Sequence, residues 1–358
     1  MLNPTAYLSE KVFTKDIEQK PTRDGYGAGL VLAGEENPNV VALCADLIES
    51  TRVEAFAKKF PERFFEMGVA EQNLATVAAG LGVSGKIPFI SSYATFSPGR
   101  NWEQIRTTIA YNDSNVKIGG HHAGISVGPD GATHQATEDI DIMRAMPNMR
   151  VFVPCDALEA RKATHAASHI WGPIYLRFAR EKTPVFTTDL TPYTPGKAEV
   201  FWDSSGRHGG LSRGSGRSLR PEVGSPSTSS GRLLKPSVLI IGCGGVLYNA
   251  LLAVKELEKE KIGTIVLNCH TIKPIDEKKI VELAKKTGAV VTVEEHQVHG
   301  GLGGAVSEVL AAHAPTPIEF VGMRDTFGES GPPAELIEKY GLGLKDIKQA
   351  VHRVIKRK

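Results

Sequence analysis

The sequence predicts an α/β fold of two doubly wound, mostly parallel sheet domains. Two observations carry this. Short apolar runs alternate with amphipathic helical segments along most of the chain, the pattern of parallel strands joined by helical crossovers. One stretch of different composition, residues 204–234, divides that pattern into two series. The predicted units are 1–195 and 236–358. They are joined over 196–235 by a linker that carries a mobile insertion rich in Gly, Ser and Arg, with almost nothing to bury.

The elements follow in order. Much of 1–38 reads as helical, interrupted by Pro4 and Pro21, with the small-residue helix YGAGLVLA at 26–33. NVVALCA at 39–45 is apolar throughout, as a strand buried on both faces requires. It encloses Cys44, which reads as a buried, inert thiol. The polar segment 46–52 continues from it as a loop. A turn at Met67-Gly68-Val69 then delivers Glu71 to the start of a helix whose apolar face is Leu74, Val77, Ala78 and Leu81. Strands are expected at 86–92, 115–119, 150–153 and 173–178, with helices at 138–145 and 157–168. In the second unit, strands at 237–242, 263–268, 289–294 and 317–321 alternate with helices at 245–258, 277–287 and 303–312. The chain closes with helices from Pro333 and Leu344.

Composition removes several classes of function. A net charge of +2 offers no electrostatic footprint for nucleic acid or a membrane surface as the main partner. The four cysteines are scattered and form no Cys-x-x-Cys pair, which argues against a disulfide frame or a zinc site. The opening MLNPTAYLSEKVFTKD carries charges where a secretory signal needs an apolar core. No apolar run is long enough to span a bilayer. A cytoplasmic protein is the expectation.

Three features carry the chemistry. Glu71 lies on or beside the apolar face of its helix, where a carboxylate serves either the helix dipole or a reaction. Tyr93, Phe96 and Trp102 follow the next strand, with Arg100 among them. HHAGISVGPDGATHQ at 121–135 places His121, His122, Asp130 and His134 in a Gly-rich loop. Such loops bring backbone close to a ligand. Pro129 and Gly131 preclude a regular helix through Asp130, so polar recognition of a hydroxylated substrate ranks above metal ligation.

In combination these residues resemble a known family. MGVAEQNLATVAAGLG, YATF with a Trp, HHAGISVGPDGATHQATEDI with MPNM, LRFAREKTP and VEEHQVHGGLGGAVSE are similar to the C-terminal half of transketolase. The likeness covers nearly the whole chain outside 204–234. It is nearest to split transketolases, in which two chains supply what one chain supplies elsewhere. The resemblance implies a thiamine diphosphate pyrimidine-binding domain, then a transketolase C-terminal domain. It implies transfer of a two-carbon ketol unit from a ketose phosphate to an aldose phosphate. Glu71 would hydrogen-bond the aminopyrimidine and favour its imino tautomer, which takes the proton from the thiazolium carbon. Phe96 would stack on the pyrimidine, with Trp102 near a second aromatic position of that pocket. Asp130 would read a sugar hydroxyl, and His134 would stand by the cofactor and the first carbons of the substrate. His122 would stand toward the phosphate end, and Arg180, with Arg52 as a second, would hold the sugar phosphate.

The sequence departs from the family in one main respect. It contains no Gly-Asp-Gly, the family's motif for magnesium and the diphosphate. The resemblance therefore implies that Mg2+ is bound mainly by an N-terminal transketolase subunit, with which this chain assembles into a heterotetramer. Among related enzymes, 1-deoxyxylulose-5-phosphate synthase usually has Asp-Arg near His121 and His122. The beta subunit of 2-oxo acid dehydrogenases lacks GxDGxTHQ. A non-catalytic assembly partner would not need Glu71, His122, Asp130, His134 and Arg180 together.

Overall fold

The computed structural model describes residues 1–206 and 233–358. The Gly/Ser/Arg-rich stretch therefore lies, from 207 to 232, outside the described residues. The first unit runs β1 (Gln19–Pro21), α1 (Thr22–Glu36), β2 (Val40–Cys44), α2 (Ile48–Thr51), α3 (Glu54–Lys59), β3 (Phe64–Glu66), α4 (Glu71–Val83) and β4 (Ile87–Tyr93). It continues with α5 (Trp102–Gln104), which enters a wider helical turn, then β5 (Lys117–His121), α6 (Asp139–Arg144), β6 (Arg150–Phe152), α7 (Ala157–Ser168), β7 (Ile174–Arg177) and β8 (Lys182–Pro184). The second runs β9 (Glu199–Asp203), β10 (Pro236–Gly242), α8 (Leu247–Lys259), β11 (Gly263–Asn268), β12 (Thr271–Lys273), α9 (Glu277–Thr287), β13 (Val290–Gln297), α10 (Leu302–His313), β14 (Ile318–Met323), α11 (Pro333–Lys339) and α12 (Leu344–Ile355).

The large sheet has the order β12-β6-β7-β5-β4-β2-β3, parallel except for β12. The second has the order β14-β13-β10-β11-β9, parallel except for β9. β1 and β8 form a separate antiparallel pair. The α/β class and the mostly parallel sheets are as the sequence predicts. The central strands β2, β5 and β7 are buried at every residue, which is why their sequences show no polar alternation.

Four local expectations give way. Residues 1–18 hold no helix beyond a single 3-10 turn at Pro4–Ala6 and pack with the second sheet. Ala6, Val12 and Ile17 share a core with Trp202, Val238 and Leu251, and Leu2 bridges Trp202. The predicted linker also begins as structure: β9 is an edge strand of the second sheet, with Phe201 and Trp202 buried. Ser204 is buried too, accepting from Trp202 Nε1 and from the Thr264 amide. The segment after β2 forms the short helix α2 rather than a loop. On α4, the buried residues are Glu71, Leu74, Ala75, Ala78, Ala79 and Gly82, while Val77 is exposed. Leu74 and small residues form the packed face, Leu81 packs partly against it, and Glu71 belongs to it.

The two units share one apolar core. Val151 and Val153 of the first cluster with Leu239, Cys243, Cys269 and Ile272 of the second. β12 crosses over to pair with β6. Helices α1 and α7 lie side by side because glycines face the contact: a Cβ on Gly29 would sit 2.6 Å from the Arg161 carbonyl oxygen and 2.8 Å from Thr164 Cβ. Gly80, on the exposed side of α4, faces nothing within 4 Å.

These two glycines predict opposite effects. Gly29→Leu will lower stability by about 1–3 kcal/mol or more through overpacking. Gly80→Ala will raise it by about 0.5–1 kcal/mol through helix propensity. Urea midpoints of the two variants check both signs.

Candidate active site

The candidate residues gather where parallel strands β2, β4, β5 and β7, neighbours in the large sheet, reach their C-terminal ends. That edge is where ligands bind in open parallel sheets. Glu71, the first residue of α4, is 4% exposed. Its Oε1 accepts from Arg100 Nη1 at 2.9 Å, and its carbonyl accepts from Asn101 Nδ2 at 2.9 Å. The Arg100 guanidinium lies over the Phe96 ring, 3.9 Å from the centroid. A buried carboxylate needs donors, and a planar cation supplies them here while stacking on an aromatic face.

From Phe96 a ring cluster extends along the strand ends. Phe96 stacks on Tyr93 with centroids 5.6 Å apart, and Tyr93 stacks on His122 at 3.9 Å. The His134 ring stands edge-on to Phe96 at 5.3 Å and to Tyr93 at 6.2 Å. Its Nδ1 is 2.9 Å from the Thr133 hydroxyl. Phe96, Tyr93, His134 and His122 thus form one continuous wall beside Glu71. Trp102 is not in ring contact with this wall among the described residues. It is 39% exposed, and its Nε1 donates to the Ile142 carbonyl.

The far end of the wall is cationic. His122, at φ 51°, has Nε2 2.8 Å from Arg23 Nη1, and Arg23 also donates to the Ser50 carbonyl. Arg180 donates to Asp130 Oδ1 at 3.1 Å and to the Val127 carbonyl at 2.9 Å. Arg52 Nε donates to Asp24 Oδ1 at 2.7 Å. Burial depresses the His122 imidazole to about 3, with Arg23, Arg180 and Arg52 adding to the effect. The same charges act on Arg23, whose guanidinium is pushed down by burial and then by Arg52 and Arg180. Three guanidinium groups around one neutral imidazole make a seat for an anion.

Two residues escaped the sequence reading. Arg23 was not singled out, yet a cation in the first turn of a helix opposes the dipole, a signal that it is placed for something else. Arg100 was noted only as a neighbour of the aromatics, and the structure makes it the partner of Glu71. His121 moves the other way. It is fully buried, stacks on Phe178 at 5.1 Å and meets the edge of Tyr26 at 4.6 Å, and burial pushes its imidazole well below the ordinary value. It is a core residue.

The Gly-rich loop is fixed from beneath. Gly124, Gly128 and Gly131 have φ of 88°, 77° and 75°. A Cβ on Gly124 would strike the Glu295 carboxylate, whose Oε1 accepts from the Ser126 amide at 2.6 Å. Gln135 donates to the carbonyls of Ile125, Gly128 and Glu329. Arg177, buried at the end of β7, pairs with Asp139 at 2.8 Å and donates to the carbonyls of Ala136 and Glu295. The second unit therefore holds the loop that carries Asp130 and His134.

Known proteins bear on this arrangement. The model of the transketolase pyrimidine-binding domain matches residues 18–185, and that of the transketolase C-terminal domain matches 232–347. The chain belongs to the transketolase family. It is 39% identical over 342 residues to a Methanocaldococcus jannaschii chain provisionally named a transketolase C-terminal section, covering 94% of this chain and 97% of that one. It is 37% identical to the 6-deoxy-6-sulfo-D-fructose transketolase subunit SqwH of Clostridium sp. (strain MSTE9), covering 97% and 98%. A solved structure described as a split gene transketolase, inactive beta4 tetramer, superposes with a TM-score of 0.79 at 44% identity, over 94% of this chain and 98% of that one. Transketolases are thiamine diphosphate-dependent transferases, and this chain is similar to the C-terminal section of the split form. Among the described residues no helix is long and apolar enough to cross a membrane.

His122 gives this transketolase-family site a pH signature. An unfolded imidazole takes its proton near pH 6.5, whereas His122 holds off until about pH 3. Between those values the unfolded state binds the extra proton, so this group's share of stability is complete above pH 6.5. It falls by about 1.4 kcal/mol per pH unit below. His122→Asn, acceptable at positive φ, will remove that share. From pH 6.5 to 5 the variant will lose about 2 kcal/mol less than the wild type in urea titrations. Parallel profiles would contradict the assignment.

Proposed function

We propose that this chain is the C-terminal subunit of a two-chain transketolase, moving a two-carbon ketol unit between sugar phosphates. The Arg100–Glu71–Phe96 contact carries the proposal. An aminopyrimidine needs an acid at a ring nitrogen and an aromatic face to stack on. Arg100, planar and rich in N–H groups, already draws both from Glu71 and Phe96. The residues therefore fit the cofactor's pyrimidine, and Arg100 has to yield its two contacts when the ring binds. When bound, thiamine diphosphate supplies the carbon nucleophile that attacks a ketose carbonyl.

The chain's own residues supply the rest. Glu71 would hold the pyrimidine by a proton-sharing contact. His134, edge-on to Phe96, is placed to hydrogen-bond oxygens on the first carbons of the sugar and to carry a proton there. Asp130 accepts from a hydroxyl farther along, and its bond to Arg180 fixes the orientation of both. Arg23, Arg52, Arg180 and neutral His122 receive the anionic end of the sugar. Arg23 joins the predicted set on geometry alone. That seat suits any tetrahedral oxyanion. The sulfosugar named for the Clostridium relative marks a sulfonate as a second reading beside phosphate. Trp102, the exposed first residue of α5, is assigned to the pyrimidine pocket through the family likeness rather than through a ring contact.

A separate N-terminal chain bearing Gly-Asp-Gly would supply Mg2+ and the diphosphate site, and the two would form a heterotetramer. This chain would then hold half of each active site. Mixing it with such a chain, thiamine diphosphate and Mg2+ will give ketol transfer that neither chain shows alone. Glu71→Ala will reduce turnover by on the order of 10²–10⁴-fold. Undiminished transfer by the variant, or full activity of this chain alone, would overturn the proposal.

A further inference from the structure

Three donor atoms converge on the surface where α1 and α7 end. Glu36 is the last residue of α1, His165 lies in the last turn of α7, and His169 caps that helix. Arg23, at the other end of α1, belongs to the candidate active site. The thirteen residue steps from Arg23 to Glu36 put the two places about 20 Å apart along the helix. His165 Nε2 is 2.7 Å from Glu36 Oε2, and His169 Nε2 is 3.4 Å from the same oxygen. The two imidazole Nε2 atoms are 3.3 Å apart. Spacing of i, i+4 sets both rings on one helix face, where they meet edge to face with centroids 4.8 Å apart.

One hydrogen bond between His165 and Glu36 explains one of these distances. It does not explain a second imidazole that aims its Nε2 at the same two atoms. We propose that Glu36, His165 and His169 form a site for a divalent transition metal ion, zinc foremost, with water completing the coordination. Tetrahedral zinc with bonds of about 2.0–2.1 Å separates its ligand atoms by about 3.3–3.4 Å. Two edges of the triangle already have that length. The third, now a hydrogen bond, opens by about 0.6 Å when zinc replaces the shared proton. Two imidazoles and a carboxylate are a donor set that suits zinc over magnesium or calcium.

The surroundings favour a cation. Helices of 15 and 12 residues both deliver their C-terminal ends here, so two negative dipole ends lie beneath the site. Competing thiols are out of reach, since all four cysteines are buried. The ion would staple the far ends of the two helices whose near contact rests on glycine. The site is independent of the proposed ketol transfer.

The test is calorimetry with zinc chloride on the full chain, together with the visible spectrum of the cobalt(II)-loaded chain. One zinc ion per chain, and the intense visible absorption of tetrahedral cobalt, are expected. Magnesium chloride should give no heat from this site. His165→Ala/His169→Ala, exposed enough to leave the fold intact, will weaken zinc binding at least about tenfold, since even an outer-shell partner is worth about 10–100-fold. It will also abolish the cobalt absorption while leaving the urea midpoint of the metal-free chain in place. No zinc binding by the wild type, equal binding by the double variant, or an octahedral cobalt spectrum would overturn the site.

Discussion

A buried ion pair, Arg177 with Asp139, fixes how the two units meet and hence where the candidate site lies. Both side chains are almost fully buried and joined at 2.8 Å. Charges so placed are tolerable only when paired and further hydrogen-bonded. Here the extra bonds do structural work. Tyr175 donates to Asp139 at 2.6 Å, while Arg177 reaches the carbonyls of Ala136 and Glu295. Glu295, on β13, in turn accepts from the Ser126 amide. The Gly-rich loop of the first unit is thereby tied at both ends to a strand of the second. That loop carries Asp130 and His134, so the second unit shapes the site without contributing a side chain to the aromatic wall.

Above this base the site is a gradient. At one end a buried carboxylate is matched by a planar cation. In the middle lie stacked rings and an edge-on imidazole. At the other end burial, helped by three guanidinium groups, holds one imidazole neutral. Each step follows from the same rule, that polar groups taken out of water need a partner of complementary shape. Under the proposed function, a cofactor ring, a hydroxylated chain and a terminal anion would follow that gradient in order. Arg100 has particular interest, because it satisfies Glu71 without freezing it: the arginine side chain is half exposed and can leave.

Much of this was legible in the sequence, and for definable reasons. Strands buried on both faces declare themselves as unbroken apolar runs, as in VVALC and GTIVLN. Helices with strong caps, such as α7 behind Asp156 and α9 behind Asp276, are bounded by the residues that cap them. Short edge pairings were not legible. β1, β8, β9 and β12 owe their existence to a partner distant in sequence, and three or five residues carry no usable periodicity. Residues 1–18 were read as helix because their local composition permits one, and tertiary packing against Trp202 decided otherwise.

At the site, Glu71, Phe96, His122, His134, Asp130 and Arg180 sit on motifs whose residue types are unusual together. Arg23 and Arg100 sit in segments that look ordinary, and their importance comes from what folding brings opposite them. Arg100 follows the turn at Gly99, where a Cβ would collide with the Thr95 carbonyl, a constraint invisible in one dimension. His121 and His122 adjoin in sequence but part in space: β5 ends at His121, which faces Tyr26 and Phe178, and the chain turns at His122, at φ 51°, whose ring stacks on Tyr93.

On the function proposed here, the contacts Arg100 now makes are those of a pyrimidine ring. The most direct measurement is a crystal structure of the assembled two-chain protein with thiamine diphosphate and Mg2+. The expected result is a Glu71 carboxyl oxygen within about 2.6–3.2 Å of a pyrimidine nitrogen, the ring stacked on Phe96, and Arg100 withdrawn from both. Cofactor bound elsewhere, with the Arg100–Glu71 pair still closed over Phe96, would contradict it.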